Sequence, residues 1–428
     1  MMGARIRSMA QAPSPWRRSG GLGGLALAVS LVLSGCGSRL GIPRVLYIAV
    51  GTNADQTISA ELVEEFNNRL QLMEKGFRQI HPNTRFQFSL YPEDKLEAAI
   101  RMRNRAGLGP DLVYTNGDTA LRLMQQGLVD PYPATPALLH LFNPEEVARL
   151  RSRKGELAGL PVILQTQMAC FNREAIPQAP ASLNALLTTG ARGHPIGLSV
   201  DIFNLFWTAG SLGAVTAVDQ VVEGRQPSTR ELGRMERWLA WLQEASNQQW
   251  VTFYANQESL EAEFMARRLD WIPCRSTALS RLRQKLGRAL GVGTLPAGPQ
   301  GPASPVNRVR VFALGTSSSA AGRERAISFI RFSVNPLMQR QITMASQNVL
   351  PANRFVKVPV RSSNVLQAMV TAEEQGGQVN KLNALLHTND PRIAKSQQLI
   401  TQLVFGEVSP AEARRALTQI LRPPRAAR

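Results

Sequence analysis

The sequence predicts an α/β protein in which helices cover both faces of a mainly parallel sheet. Residues 44–50 (RVLYIAV) are apolar and β-rich, which is typical of a buried strand. Residues 59–81 repeat apolar side chains every three to four positions, as an amphipathic helix does. The alternating segment 84–91, a helix over 93–106 and the apolar triplet 112–114 follow. The order β-α-β-α-β favours parallel strands with helical crossovers.

The same mixture of elements continues to the end of the chain. Strands are predicted at 161–172, 290–295 and 309–314, and a Pro/Gly-rich linker at 296–305 separates the last two. A helical tail covers 362–421, and the basic residues 422–428 are expected to form a disordered tail. The remaining predicted helices are 118–126, 182–188, 202–213, 229–246, 257–267, 276–286, 321–332 and 335–345.

Composition excludes several classes of protein. With 44% apolar and 19% charged residues in 428, the chain is neither disordered nor too short for two domains. Three cysteines exclude a disulfide-stapled scaffold. The net charge of +18 suggests a nucleic-acid partner. However, 42 of the 49 basic residues are Arg dispersed along the chain, which indicates codon composition more than a phosphate-binding surface.

The first 36 residues have the pattern of an export signal. Arg5, Arg7, Arg17 and Arg18 precede the uncharged apolar segment 21–33. The next residues end in Ser34-Gly35-Cys36, which resembles the bacterial lipobox. We therefore expect residues 1–35 to be a lipoprotein signal peptide that is cleaved before a lipidated Cys36, with 36–42 as a tether.

This prediction places the protein at the periplasmic face of the cell envelope, anchored by lipid alone. The alternative is a secreted protein with an incidental Cys36, and either Met1 or Met9 fits as the start. Since residues 1–35 carry four Arg and no acidic residue, the mature charge would fall from +18 to +14. In an oxidising compartment, Cys170 and Cys274 either form a disulfide or remain two buried thiols.

Several short motifs occur in an order that resembles the extracellular solute-binding proteins of ABC importers, the maltose-binding-like group. They include 107–113 (GLGPDLV), 127–131 (GLVDP), 155–161 (GELAGLP), 292–301 (VGTLPAGPQG) and 350–352 (LPA). Each motif is weak alone, but together they span nearly the whole mature chain.

This resemblance implies a type II periplasmic-binding fold of two lobes joined by crossing hinge segments. Each lobe would be a mixed, mainly parallel sheet flanked by helices. Lobe one would comprise 43–164 and 308–348, and lobe two 165–307 and 349–421. A small carbohydrate, polyol or glycoside would bind between the lobes, which close by a hinge motion. The closed monomer would then deliver the ligand to a membrane permease, with no cofactor and no metal. The aromatic content of 6% favours a small ligand over a long glycan, and the basic charge leans towards an anionic one.

Candidate ligand contacts lie just past the predicted strands, because clefts of open α/β sheets form at the carboxyl ends of strands. Asp118 matches a carboxylate position of the family, although it could equally cap the following helix. Gln165 occupies a polar position where the family often has an acid. Arg275, near the place of a stacking Trp, could hold a carboxylate or phosphate, or simply face solvent. The full candidate set is Asn53, Asp55, Asn116, Asp118, Gln165, Asp201, Asn204, Trp207, Trp271 and Arg275.

Three other functions compete with transport. The four His residues are scattered and no metalloprotease, P-loop or nucleophile-elbow motif occurs, yet a glycosidase needs only two carboxylates and no local motif. Export argues against binding to nucleic acid. A lipid-anchored sensor that presents its ligand to a receptor remains an alternative that the sequence does not separate from transport.

Overall fold

The structure, a computed structural model, describes residues 44–54, 56–377, 379–380, 382, 386 and 390–423. The expected signal peptide, tether and Cys36 lie outside the described residues, as do Asp55 and all of the basic tail beyond residue 423. No described helix combines the length and the apolar character that crossing a membrane would require.

Two mixed sheets organise the described chain. The first has seven strands: β1 (Arg44–Thr52), β2 (Thr84–Pro92), β3 (Leu112–Asn116), β4 (Val129–Asp130), β5 (Leu160–Gln165), β11 (Arg308–Gly315) and β12 (Leu350–Pro351). The second has five: β6 (Gln167–Asn172), β7 (Ile196–Ser199), β8 (Val251–Tyr254), β9 (Trp271–Arg275) and β10 (Leu290–Gly293).

The strand directions put the carboxyl ends of the parallel strands at one edge of each sheet. In the first sheet the order is β12-β5-β11-β3-β1-β2; β1 is parallel to β2 and β3, while β11 is antiparallel to β3, β4 and β5. In the second the order is β10-β6-β9-β7-β8, with β7 parallel to β8 and β9. β11 therefore begins at the edge where β1 and β3 end.

Sixteen α-helices are described, and they surround these sheets. They are α1 (Ala60–Ile80), α2 (Glu93–Arg105), α3 (Gly117–Gln125), α4 (Pro136–Leu139), α5 (Pro144–Arg149), α6 (Leu183–Ala191), α7 (Ile202–Ser211), α8 (Val215–Val222), α9 (Thr229–Ser246), α10 (Gln257–Met265), α11 (Leu279–Leu286), α12 (Ala320–Ser333), α13 (Pro336–Ser346), α14 (Asn364–Gln375), α15 (Pro391–Val404) and α16 (Pro410–Leu421). Several begin at a polar cap: the Ser59 hydroxyl accepts a hydrogen bond from the Leu62 amide, and Ser228 forms a capping box with Glu231.

The chain crosses between the sheets at three places. The predicted extended run 161–172 is two strands, β5 and β6, which belong to different sheets and are separated only by Thr166. The chain returns between β10 and β11, and it leaves the first sheet again after β12. Leu350–Pro351 pairs with β5, so the first sheet extends to residue 351, beyond the boundary expected at 348.

Each sheet has its own apolar core. Leu46, Ile48 and Phe312 are buried around the first sheet, and Leu198, Phe206 and Trp238 around the second. A disulfide joins Cys170 of β6 to Cys274 of β9, whose Cα atoms are 5.7 Å apart. Two of the apolar clusters thus lie on different sheets, and a third joins Leu164 and Leu350 of the first sheet to Met168 and Ile272 of the second.

Candidate functional site

A cavity of ≈ 320 Å³ lies at the edge of the first sheet where β3 ends and β11 begins. It is bounded by the β3–α3 junction, by α5, by the segment leading into β11 and by the C-terminal region after α14. The lining residues are Asn116, Gly117, Asp118, Leu121, Arg122, Gln125, Glu146, Arg149, Leu150, Asn307, Arg308, Val309 and Asn380. We call it the main cavity.

Asp118 brings a carboxylate to the main cavity because of its place in the first turn of α3. β3 is buried along its whole length, and Asn116 is the N-cap residue of the helix that follows. A carboxylate in the first turn is favoured by the helix dipole. Nevertheless, burial raises the pKa of Asp118 above its ordinary value, and the charge of Glu93 adds to this, while Arg308 and Arg122 oppose it.

Glu146 supplies the second carboxyl group of the main cavity. It lies on α5 and is only 7% exposed. Burial is the main cause that raises its pKa from 4.5 to about 7; Glu373 and Glu145 add to the rise, and Arg149 counteracts it. Near neutral pH this group therefore exchanges between its neutral and charged forms.

A buried ion pair fixes the position of Asn116. The Arg310 guanidinium donates to Asn116 Oδ1 at 2.8 Å and lies 3.4 Å from Glu93 Oε2. Glu93 also accepts the Asn116 amide at 2.9 Å and the Thr115 hydroxyl. Arg310 further donates to the carbonyl of Gly51 and covers the ring of Tyr114, 4.6 Å from its centroid. The network joins β1, β3, α2 and β11 at the cavity edge.

Two smaller cavities continue the site towards the second sheet. They measure ≈ 20 Å³ and ≈ 50 Å³, and both are lined by Asn53, Gln165 and Thr277. Arg308 lines the main cavity and the ≈ 20 Å³ cavity, and its Nη1 donates to Asn53 Oδ1 at 3.3 Å. The three cavities therefore form one polar cleft between the strand ends of the two sheets.

The structure brings six of the predicted contacts to this cleft: Asn53, Asn116, Asp118, Gln165, Asn204 and Arg275. Asp201 holds the beginning of α7 instead. Its Oδ1 accepts the Phe203 amide at 3.0 Å and its Oδ2 accepts Asn204 Nδ2 at 3.0 Å. Asp201 thus positions Asn204, which lines the ≈ 20 Å³ cavity.

The two predicted Trp contacts are contradicted by their burial. Trp207 and Trp271 are both 0% exposed, with ring centroids 6.0 Å apart inside the core of the second sheet. They lie at helix and strand positions that face the core, so neither indole offers a face to a ligand. The helical spacing of Phe203, Phe206 and Trp207 therefore reflects packing in the core and not contact with a ligand.

Arg275 lines the ≈ 20 Å³ cavity, but its guanidinium is already paired with a carboxylate. Its Nε lies 3.3 Å from Glu261 Oε1, and Arg281 lies 3.2 Å from the other oxygen of the same carboxylate. Glu261 is 1% exposed, so this ion pair is shielded from solvent. The carboxylate that Arg275 holds is therefore that of Glu261 in the same protein.

Sequence reasoning missed Arg308, Arg122, Arg149 and Glu146. The predicted contacts all lie within or just past strands and their following turns, whereas Arg308 begins an antiparallel strand at the same edge. Arg122 follows Asp118 by one helical turn, and this spacing was the signal that could have revealed it. Glu146 and Arg149 lie on a short helix that the sequence did not predict.

The sequence profile described as "Bacterial extracellular solute-binding protein" matches residues 61–362. No curated protein matches this chain in sequence. Among solved structures, the GacH receptor of Streptomyces glaucescens, determined unliganded and with acarbose, is similar with a TM-score of 0.71 and 18% identity. That alignment covers 88% of this chain and 96% of GacH.

Two further structures show the same likeness. The maltose-maltodextrin binding protein of Alicyclobacillus acidocaldarius has a TM-score of 0.65 at 18% identity, covering 88% of this chain and 100% of that one. An ABC transporter solute-binding protein of Thermotoga lettingae, bound with α-D-tagatose, has a TM-score of 0.64 at 14% identity. That alignment covers 88% of this chain and 100% of the Thermotoga protein. At these identities the likeness establishes the fold, which is the two-sheet type II arrangement.

Proposed function

This chain belongs to the bacterial extracellular solute-binding proteins, and from that premise we propose that it captures a small carbohydrate, polyol or glycoside for import. The ligand binds in the cleft between the two sheets, the lobes close over it, and an ABC permease receives it. The protein acts as a monomer and as a carrier without cofactor or catalysis.

One observation carries this proposal: a polar cleft lies where the strands of both sheets end. Asp118 and Gln165 offer oxygen acceptors for hydroxyl groups, and Asn53 offers both donors and acceptors. The main cavity, at ≈ 320 Å³, is near the lower end of the range of about 300–1,000 Å³ for ligand sites. It therefore suits a small ligand rather than a long glycan.

The solved relatives support a carbohydrate as the ligand class. GacH was determined with acarbose and the Thermotoga protein with tagatose, so the fold serves ligands from a monosaccharide upwards. We further propose two lobes, 43–164 with 308–348 and 165–307 with 349–421, from which only the short strand β12 (Leu350–Pro351) departs by pairing with the first sheet. Cleavage before Cys36 and its lipidation would hold the mature protein at the periplasmic face.

A thermal-shift screen over sugars, polyols, glycosides and amino acids tests the ligand class. A ligand at a hundredfold excess over its Kd raises stability by about 2.7 kcal/mol. We expect shifts with carbohydrates or polyols, and Asp118→Asn should lower the affinity for them about tenfold because an amide donor replaces one of the acceptor oxygens. Asp94→Asn is the matched control, since Asp94 is exposed and lies in the first turn of α2.

Three results would contradict the proposal. They are shifts with amino acids alone, equal affinities of the Asp118→Asn and Asp94→Asn variants, and hydrolysis of a bound glycoside. Labelling with a radioactive fatty acid, lost in Cys36→Ser, tests the anchor separately.

A further inference from the structure

Basic side chains outnumber acidic ones among the residues that line the main cavity. Three guanidinium groups line it, those of Arg122, Arg149 and Arg308, against the carboxyl groups of Asp118 and Glu146. None of the described lining residues is aromatic, so the main cavity lacks the flat apolar face on which a sugar ring stacks. Most of its lining side chains are charged or can form hydrogen bonds.

Arg122 lacks an acceptor for its donors. Its side chain is 14% exposed, and Nε, Nη1 and Nη2 are all buried without a hydrogen-bond partner among the described residues. The Glu97 carboxylate is 3.6 Å away, beyond hydrogen-bond distance, and it already accepts from Arg101 at 3.2 Å. Buried charged donors without acceptors are costly, so an acceptor that enters the cavity would be bound strongly.

The other two guanidinium groups make only weak direct contacts, although Arg308 also interacts with the charge of Asp118 and Arg149 with that of Glu146. Arg149 lies 3.7 Å from Glu145, whose side chain is 77% exposed, and such solvated pairs contribute little. The hydrogen bond that Arg308 donates to a side chain goes to the neutral amide oxygen of Asn53. Arg–carboxylate and Arg–phosphate pairs, by contrast, are strong and often bidentate.

Resting on the proposed function, we propose that the ligand is an acidic carbohydrate whose carboxylate or phosphate binds Arg122, assisted by Arg149 and Arg308. The hydroxyl groups of the same ligand donate to Asp118. The centre of anion recognition is therefore the main cavity and not Arg275, which is paired with Glu261. Arg122 is thus the side chain that would distinguish this protein from carriers of neutral sugars, and its role can be tested by substitution.

Calorimetry with matched pairs of ligands tests the assignment. The pairs are galactose and galacturonate, glucose and glucuronate, glucose and glucose 6-phosphate, and glycerol and glycerol 3-phosphate. We expect the acidic member of at least one pair to bind about tenfold or more tightly than its neutral partner. The carboxylate and phosphate pairs identify which anionic group the cavity prefers. The preference should fall as salt is raised.

Two variants assign the preference to Arg122. Arg122→Gln should reduce the ratio of acidic to neutral affinity about tenfold, because the bidentate pair is lost. Arg101→Gln is the matched control: Arg101 shares Glu97 with Arg122 but is not part of the main cavity, so the ratio should be unchanged. Far-ultraviolet circular dichroism confirms that both variants fold.

The outcomes separate this inference from the function on which it rests. Tighter binding of neutral members, or an unchanged ratio in Arg122→Gln, overturns the acidic ligand while carbohydrate capture stands. Binding of citrate or glutamate with no sugar overturns the carbohydrate but retains the anion site. If no member of any pair binds, both proposals fail.

Discussion

Asn116 and Asp118 are two residues apart at the end of β3, yet the structure gives them different roles. The Asn116 side chain is held by the buried Arg310 and so belongs to the scaffold of the site as well as to its wall. Asp118 faces the cavity from the first turn of α3. The position of both at a strand end could be predicted from the sequence. The partner of Asn116 could not, because Arg310 lies 194 residues away along the chain.

At the residue scale, Glu146 should make the stability of the protein depend on pH. Its folded pKa of about 7 is raised above 4.5, so folding favours the protonated form. This contribution to stability is complete below about pH 4.5 and is lost as the pH rises through about 7. Glu146→Gln should therefore be more stable than the parent at pH 8, by about 1–3 kcal/mol, and equal to it near pH 4.5.

Urea unfolding at several pH values between about 4.5 and 8 measures this difference. Glu145→Gln is the control, since Glu145 is the exposed neighbour on the same helix and should change stability little. Parallel stability curves for the parent and Glu146→Gln would show that the buried carboxyl does not titrate in this range.

At the scale of elements, segments with a clear hydrophobic period were predicted well. Segments whose assignment depends on pairing with distant residues were not. Residues 229–246 were predicted as a helix and form one, and 84–91 differs from β2 by one residue, because each has a clear period. β7, β8 and β9 were missed since they are four or five residues long and show no alternation. The break at Thr166 was missed because both flanking strands are apolar, and only tertiary pairing assigns them to different sheets.

The disulfide between β6 and β9 should stabilise the second sheet. It encloses a sequence separation of 104 residues, and a disulfide typically contributes about 2–4 kcal/mol, chiefly by restricting the unfolded chain. We expect a reductant to lower the free energy of unfolding of the parent by that amount. Mass spectrometry without reductant should find no free thiol at Cys170 or Cys274.

The double variant Cys170→Ala/Cys274→Ala is the control for the reductant. Its stability should be low already and should not change when reductant is added. If the parent is equally insensitive, or if two free thiols are found, the two cysteines do not pair in the exported protein.

At the scale of the whole molecule, separate cores and narrow crossings favour rigid-body motion of the lobes. The core around β1, β3 and β11 is distinct from the core around α7 and α9, while a third cluster joins Leu164 and Leu350 of the first sheet to β6 and β9 of the second. Since Thr166 alone separates β5 from β6, a change in a few backbone angles there would rotate one lobe against the other. A ligand that contacts both lobes then favours the closed arrangement by its additional contacts.

A contact between Thr57 and Glu258 should contribute to that closed arrangement. Thr57 precedes α1 beside the first sheet, and Glu258 lies on α10 beside the second. The Glu258 carboxylate accepts the Thr57 amide at 3.0 Å and the Thr57 hydroxyl at 3.1 Å. Because both hydrogen bonds join the lobes, they exist only when the lobes approach. Glu258→Ala should therefore lower the population of the closed state and weaken ligand affinity about three- to tenfold.

The control for the contact between Thr57 and Glu258 is Glu263→Ala, on the same helix as Glu258. Glu263 forms an exposed ion pair with Arg268, so both partners lie in the same lobe and the pair is indifferent to closure. Calorimetry should show weaker binding for Glu258→Ala alone, and small-angle scattering should show a larger radius of gyration for it at subsaturating ligand. Both variants should unfold within about 1 kcal/mol of the parent, because exposed pairs contribute little. Equal affinities in the two variants would mean that Thr57 and Glu258 meet without influencing closure, and the crossing segments and the ligand would then set the equilibrium by themselves.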